Sequence, residues 1–139
     1  HTRTVKMSGS IGLNHLGLSV ENLEASKSFF VDVLGWEESG YDPSYPRTAV
    51  SDGKLRLTLW QVDQSLNGAG FDRKRNVGLH HLAIQVESEL KLDELYRRIV
   101  DHPKCTIEFA PELLSGGPRK HMMFNEPSGL RLELIWQGN

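Results

Sequence analysis

Cysteine is nearly missing from this sequence, Cys105 being the only one. That excludes an internal disulfide framework and a zinc cluster of paired thiolates, and it fits a reducing, cytoplasmic setting. No apolar run approaches the roughly eighteen residues that a membrane-spanning helix needs. The opening residues, His1 to Ser10, have no apolar core of the kind a secretion signal carries, and they read as a flexible segment ahead of a single domain over residues 11–139. Net charge is slight, -2 from 16 basic and 18 acidic residues, so there is no general electrostatic drive towards nucleic acid or an anionic membrane. The one basic run, Arg73-Lys74-Arg75, lies among Gly68, Gly70, Asp72 and Asn76 and reads as a solvated loop. A chain of 139 residues holds one sizeable core but not two full domains. Small molecules or other proteins are the partners these exclusions leave.

What is present is a repeat. Leu55-Arg56-Leu57-Thr58-Leu59 recurs as Leu130-Arg131-Leu132-Glu133-Leu134, and Gly12-Leu13-Asn14-His15-Leu16-Gly17-Leu18 recurs as Gly78-Leu79-His80-His81-Leu82-Ala83-Ile84. The period, roughly seventy residues, is too long for a solenoid unit and marks two copies of one module. All four segments alternate in the two-residue rhythm of a half-buried strand. Between them, Leu23, Ser26, Phe29, Phe30, Val33 and Leu34 fall at helical spacing, with Asn22 as N-cap and Gly35 as stop. Leu92, Leu95, Tyr96 and Ile99 do the same before Pro103. Further strands are predicted at 36–41 and 47–51, then at 106–109 and 121–125. The fold class is α+β: two β-α-β-β-β modules, at about 11–66 and 77–137, whose bare sheet faces should combine into a cleft.

Strand parity then sorts the polar residues. Leu16, Leu18 and Val20 take one face of the first strand and leave His15, Gly17 and Ser19 on the other. Leu82, Ile84 and Val86 likewise leave His81, Ala83 and Gln85, while the closing strands leave Thr58 and Glu133. Two imidazoles and one carboxylate thus share the bare face, a set that fills three positions on one divalent ion (Fe, Zn, Ni or Mn) and leaves others open to substrate. Thr58, Trp60 and Gln85 share that face as candidate substrate contacts. His121, on the penultimate strand, is the remaining acid/base candidate, because its ordinary pKa suits proton transfer near neutrality. His80 falls on the opposite parity and reads as an edge residue supporting the ligands. Arg56 and Arg131 share parity with Thr58 and Glu133 and could meet an anionic substrate or lie at the rim. Each histidine taken alone would pass for an ordinary polar strand residue; the repeat-related positions make the set informative.

The motifs NHLGLSV, LEASKSFFVDVLGW, GLHHLAIQV and NEPSGLRLELIW make the chain resemble the vicinal oxygen chelate superfamily of glyoxalases, bleomycin-resistance proteins, fosfomycin-resistance enzymes and extradiol dioxygenases. The likeness runs from Gly12 to Gln137. It implies one metal ion held by His15, His81 and Glu133, a small substrate that chelates it through two adjacent oxygens, and a homodimer in which His15 of one chain completes the site of the other. Two residues depart from familiar members: Thr58 stands where glyoxalase I carries a second carboxylate or amide ligand, and Gly17 stands where fosfomycin-resistance enzymes carry threonine. The implied reaction is therefore lyase- or isomerase-like, transferase-like, or a ring-cleaving dioxygenation. The alternatives are a metal-free drug- or metabolite-binding protein, which would keep the fold and lose the ligands, and an interaction module.

Overall fold

The computed structural model describes residues 8–139, so most of the expected flexible opening, residues 1–7, lies outside the described residues. The first module runs β1 (Leu16–Val20), α1 (Leu23–Ser28), β2 (Glu37–Asp42), β3 (Arg47–Ser51) and β4 (Arg56–Gln61). The second runs β5 (Leu82–Gln85), α2 (Glu89–Val100), β6 (Thr106–Leu113), β7 (Lys120–Asn125) and β8 (Arg131–Trp136). Each forms a four-stranded sheet of the same order, β1-β4-β3-β2 and β5-β8-β7-β6, with the first pair in each parallel and the rest antiparallel.

Local chemistry explains the helix ends. Asn22 accepts a hydrogen bond from the Ala25 amide at 2.9 Å, and Ser88 accepts one from Lys91 at 3.0 Å, so both N-termini are capped by a side-chain oxygen. Beyond Ser28 the first helix widens into a π-helical turn over Phe29–Val33, closed by the Leu34 amide on the Phe29 carbonyl. That widened turn buries the consecutive rings of Phe29 and Phe30 completely. Gly35, at φ +77°, then takes the chain out of the helix as expected.

Burial alternates as expected at the first strand of each module, where Leu18, Val20, Ile84 and Val86 are buried and Gly17, Ser19, Ala83 and Gln85 are exposed; in β4 and β8, Thr58 and Glu133 are buried along with Leu57, Leu59, Leu132 and Leu134 beside them. The modules join differently from the cleft expected within one chain. Their helix-bearing faces share a single core, in which Phe29 meets Phe124 at 5.6 Å between ring centroids. Ser26 of α1 donates to buried Glu126 of the second module at 2.6 Å, and Arg98 of α2 donates to the Val33 carbonyl at 3.2 Å. Once the apolar surface of both helices is buried in that shared core, the bare sheet faces are left turned outward. Among the described residues no helix is long and apolar enough to cross a membrane.

Candidate metal centre

His15 and His81 each sit one residue before an edge strand, β1 and β5, and Glu133 lies in β8 directly beside Ala83. His81 Nε2 and Glu133 Oε1 are 3.3 Å apart. Donors about 2.0–2.1 Å from one first-row dication lie about 3.3 Å apart along a tetrahedral edge, so this pair fits two ligand positions on one ion. A plain ion pair would account for that contact. It would not account for the way each partner's other polar atom is held from behind.

Glu133 Oε2 accepts from His121 Nδ1 at 2.5 Å, with both side chains buried, and the His121 ring packs on Phe109 at 4.8 Å between centroids. Glu133 therefore presents one oxygen outward. His81 Nδ1 meets His80 Nδ1 at 2.8 Å. A metal-ligating lone pair on His81 Nε2 puts the proton on Nδ1, which donates to His80; holding the second nitrogen in this way fixes the tautomer and the ring plane. His80 Nδ1 also lies 3.4 Å from Arg131 Nη1, a second donor to the same atom. Removal from water, the Arg131 guanidinium and the His81 ring all lower the His80 pKa, which favours the neutral acceptor form this arrangement needs.

The expected site residues thus divide into groups. His81 and Glu133 are brought together. His121, read from sequence as an isolated acid/base group, is tied to Glu133 through Nδ1, and among the described residues only its Nε2 is left without a partner. His15 is exposed, its Nδ1 against Asn14 at 2.7 Å. One chain does not gather it with His81 and Glu133, and among the described residues no three His, Cys, Asp or Glu side chains form a metal-holding cluster. Thr58 and Trp60 share the bare face of the first sheet and bond to each other, Trp60 Nε1 donating to Thr58 Oγ1 at 2.9 Å. Gln85 is exposed on the bare face of the second sheet, beside Ile135. Arg131 is held by Glu108 through two bonds of 2.9 and 2.6 Å. The His121–Glu133 pair and the Glu108 clamp were not anticipated; equal parity of positions 121 and 133 on neighbouring strands is the signal that could have suggested the first.

The sequence profile of the Glyoxalase/Bleomycin resistance protein/Dioxygenase superfamily matches residues 12–134. The chain belongs to that superfamily. Members of the superfamily commonly use a divalent metal, bind small molecules and often form dimers. Among solved structures, the glyoxylase/bleomycin resistance protein/dioxygenase domain from Frankia sp. EAN1pec is similar, with a TM-score of 0.75 and 25% identity, covering 92% of this chain and 98% of that one. A fosfomycin resistance protein from Listeria monocytogenes shares the fold, with a TM-score of 0.69 at 20% identity over 91% of this chain and 93% of that one. A curated relative, the trivalent organoarsenical cleaving enzyme of Thermomonospora curvata, is 31% identical over 93 residues. That match takes in 67% of this chain and 56% of the relative, so the chain spans a little over half the relative's length.

One superfamily variation bears on this chain's bare face. A Cβ added at Gly17 would lie 3.2 Å from Thr58 Oγ1 and 3.5 Å from Trp60 Nε1. Threonine at that position, as in the fosfomycin-resistance pattern, would thus press on the Thr58–Trp60 bond. Trivalent arsenic is thiophilic, whereas the lone thiol here, Cys105, is half-buried and pushed by burial, with a smaller push from Glu126, up to about 12.

Proposed function

We propose that this chain is a divalent-metal-dependent enzyme acting on a small substrate that chelates the ion through two adjacent oxygens, with each site built from His81 and Glu133 of one chain and His15 of a second copy. The observation that carries this reading is the His81–Glu133 pair: two donor atoms 3.3 Å apart on a bare sheet face, each backed through its other polar atom by a dedicated histidine. The bound ion would act as a Lewis acid on the substrate's oxygens.

The protein's own residues have definable tasks. His121 keeps Glu133 to one outward oxygen and leaves coordination positions for substrate. His80 holds His81 in the tautomer that offers Nε2. His121 Nε2, the ring atom with no protein partner among the described residues, is left with the lone pair that can accept a proton while Nδ1 donates to Glu133. Thr58 is engaged by Trp60, which leaves a three-ligand set and disfavours the glyoxalase I reaction, since no carboxylate base occupies that place. The organoarsenical relative supports a bond-cleaving reaction in general; arsenic as substrate would lack a thiolate pair in this chain.

Elemental analysis of protein purified without a metal-affinity column should find about one divalent ion per chain once the protein is dimeric. Iron with substrate-dependent oxygen uptake would identify a dioxygenase. Zinc, nickel or manganese without oxygen uptake would identify a lyase, isomerase or transferase. Protein that neither contains nor takes up a divalent ion, yet binds small molecules, would replace the enzyme reading by the metal-free binding protein.

A further inference from the structure

The bare face of the first sheet carries a cation, Arg47, with no carboxylate at ion-pair distance among the described residues. Arg47 of β3 pairs in register with Trp60 of β4, which pairs with Ser19 of β1. Its guanidinium carbon stands 5.5 Å from the centroid of the Trp60 ring, within cation–π range. Tyr45 closes on the same indole edge-on, at 4.8 Å and 80°, and the indole is fixed by its bond to Thr58.

Arg47 Nη1 donates to the Gly40 carbonyl at 2.9 Å. Among the described residues Nε and Nη2 donate to nothing. Asp42 lies opposite Arg47 in register but outside ion-pair distance; its Oδ1 accepts from the Ser44 amide and hydroxyl at 2.9 and 2.6 Å, bonds that lower its pKa with a smaller contribution from the Arg47 charge. Arg131, on the bare face of the other sheet, is already satisfied by Glu108. The Nε–Nη2 edge of a guanidinium is the geometry that accepts a carboxylate through two parallel charge-assisted bonds, and stacking on an indole orients that edge and removes part of its water.

Arg47 lies two strands and four residue levels from His15. At about 4.8 Å per strand and about 3.3 Å per residue, the two Cα atoms are about 16 Å apart. An acid group on Arg47 therefore cannot also chelate an ion at His15; a ligand that engages both does so from opposite ends.

We infer that the substrate of this site is a flat organic carboxylate, whose acid group docks on the Nε–Nη2 edge of Arg47 while its adjacent oxygens lie at the end nearer His15. The inference rests on the metal-chelating reading above and adds the substrate class.

Calorimetric titration of the zinc-loaded protein with 3,4-dihydroxybenzoate and with catechol, which differ only in the carboxylate, tests it. The acid is expected to bind about tenfold more tightly. Arg47→Met and Arg47→Gln should bring the two affinities to within about twofold of each other, and Arg47→Lys should restore only part of the preference. An unmodified protein with no preference for the acid, or a preference that survives both Arg47→Met and Arg47→Gln, overturns the proposal. Zinc content of the same samples is read separately. If zinc does not bind, the metal centre fails, and benzoate against phenol on the metal-free protein decides the role of Arg47 by the same criteria.

Discussion

Replacing Glu133 or His81 by alanine should reduce divalent-ion affinity by more than about a hundredfold, because either change removes a ligand together with the fixed geometry its neighbour depends on. The variants behind them should fall in a graded order. His121→Ala frees Glu133 Oε2, now held at 2.5 Å in a buried setting, and should weaken binding by about ten- to a hundredfold, the usual range for losing a partner that orients a ligand. His80→Ala removes the acceptor for His81 Nδ1 at 2.8 Å, but water can reach this exposed edge and take its place, so about tenfold is the expected upper bound. Titration with Co(II), followed by its visible absorption, measures all four proteins on one scale and also reports changes in ligand geometry. A His80 variant as defective as the Glu133 variant would mean that the wrong histidine of the Gly78–Ala83 segment has been assigned to the ion.

The second large effect lies at the joint between modules. Glu126 is almost wholly buried, with 1% of its surface exposed. Its carboxylate accepts from Ser26 Oγ at 2.6 Å and from the Ser128 and Leu130 amides at 2.7 and 3.1 Å. Glu126→Ala strands the Ser128 and Leu130 amides and leaves Ser26 Oγ only its bond to Ser128 Oγ, and should cost about 2–4 kcal/mol of unfolding free energy, whereas Glu126→Gln keeps an acceptor and should change it by less than about 1 kcal/mol. Burial raises the Glu126 pKa above 4.5, the three hydrogen bonds opposing it. A raised carboxyl pKa in the folded state contributes stability that is fully present below the unfolded value and is lost as pH rises through the folded value. Urea unfolding of the unmodified protein and of Glu126→Gln should therefore differ in slope against pH upwards from about 4.5. Identical pH dependence in the two would show that burial of this carboxyl has no energetic consequence.

Sequence carried a large share of this architecture because its signals are local. Alternation on β1, β4, β5 and β8 sorted residues by sheet face, and the internal repeat told which positions correspond; together they singled out His15, His81 and Glu133 as candidates with no coordinates at all. The His121–Glu133 bond was hidden because it depends on registration between strands: Met123 is directly opposite Glu133, and His121 reaches it diagonally from the next pair. The extent of β6 was hidden for a related reason, since bulges between Ile107 and Glu112 break the alternation that marks a strand. Nor did pattern show how the modules join. Phe29, Phe124, Ser26 and Glu126 each look like ordinary members of one amphipathic unit, and only packing reveals that these units share a core through their helix-bearing faces. That joint leaves both faces that carry the candidate ligands turned outward, which is why the proposed third ligand is taken from a second chain.

Refolding His15→Ala and Glu133→Ala chains together, in equal amounts, tests the shared site most directly. In a mixed dimer one site carries both lesions and the other carries neither, so random pairing should restore bound metal to about a quarter of the level of the unmodified protein, although each variant alone binds almost none. A site confined to one chain would be broken in every molecule of the mixture. Recovery of about a quarter of the metal is the result the shared site predicts, and no recovery, in a mixture shown by size to be dimeric, would contradict it.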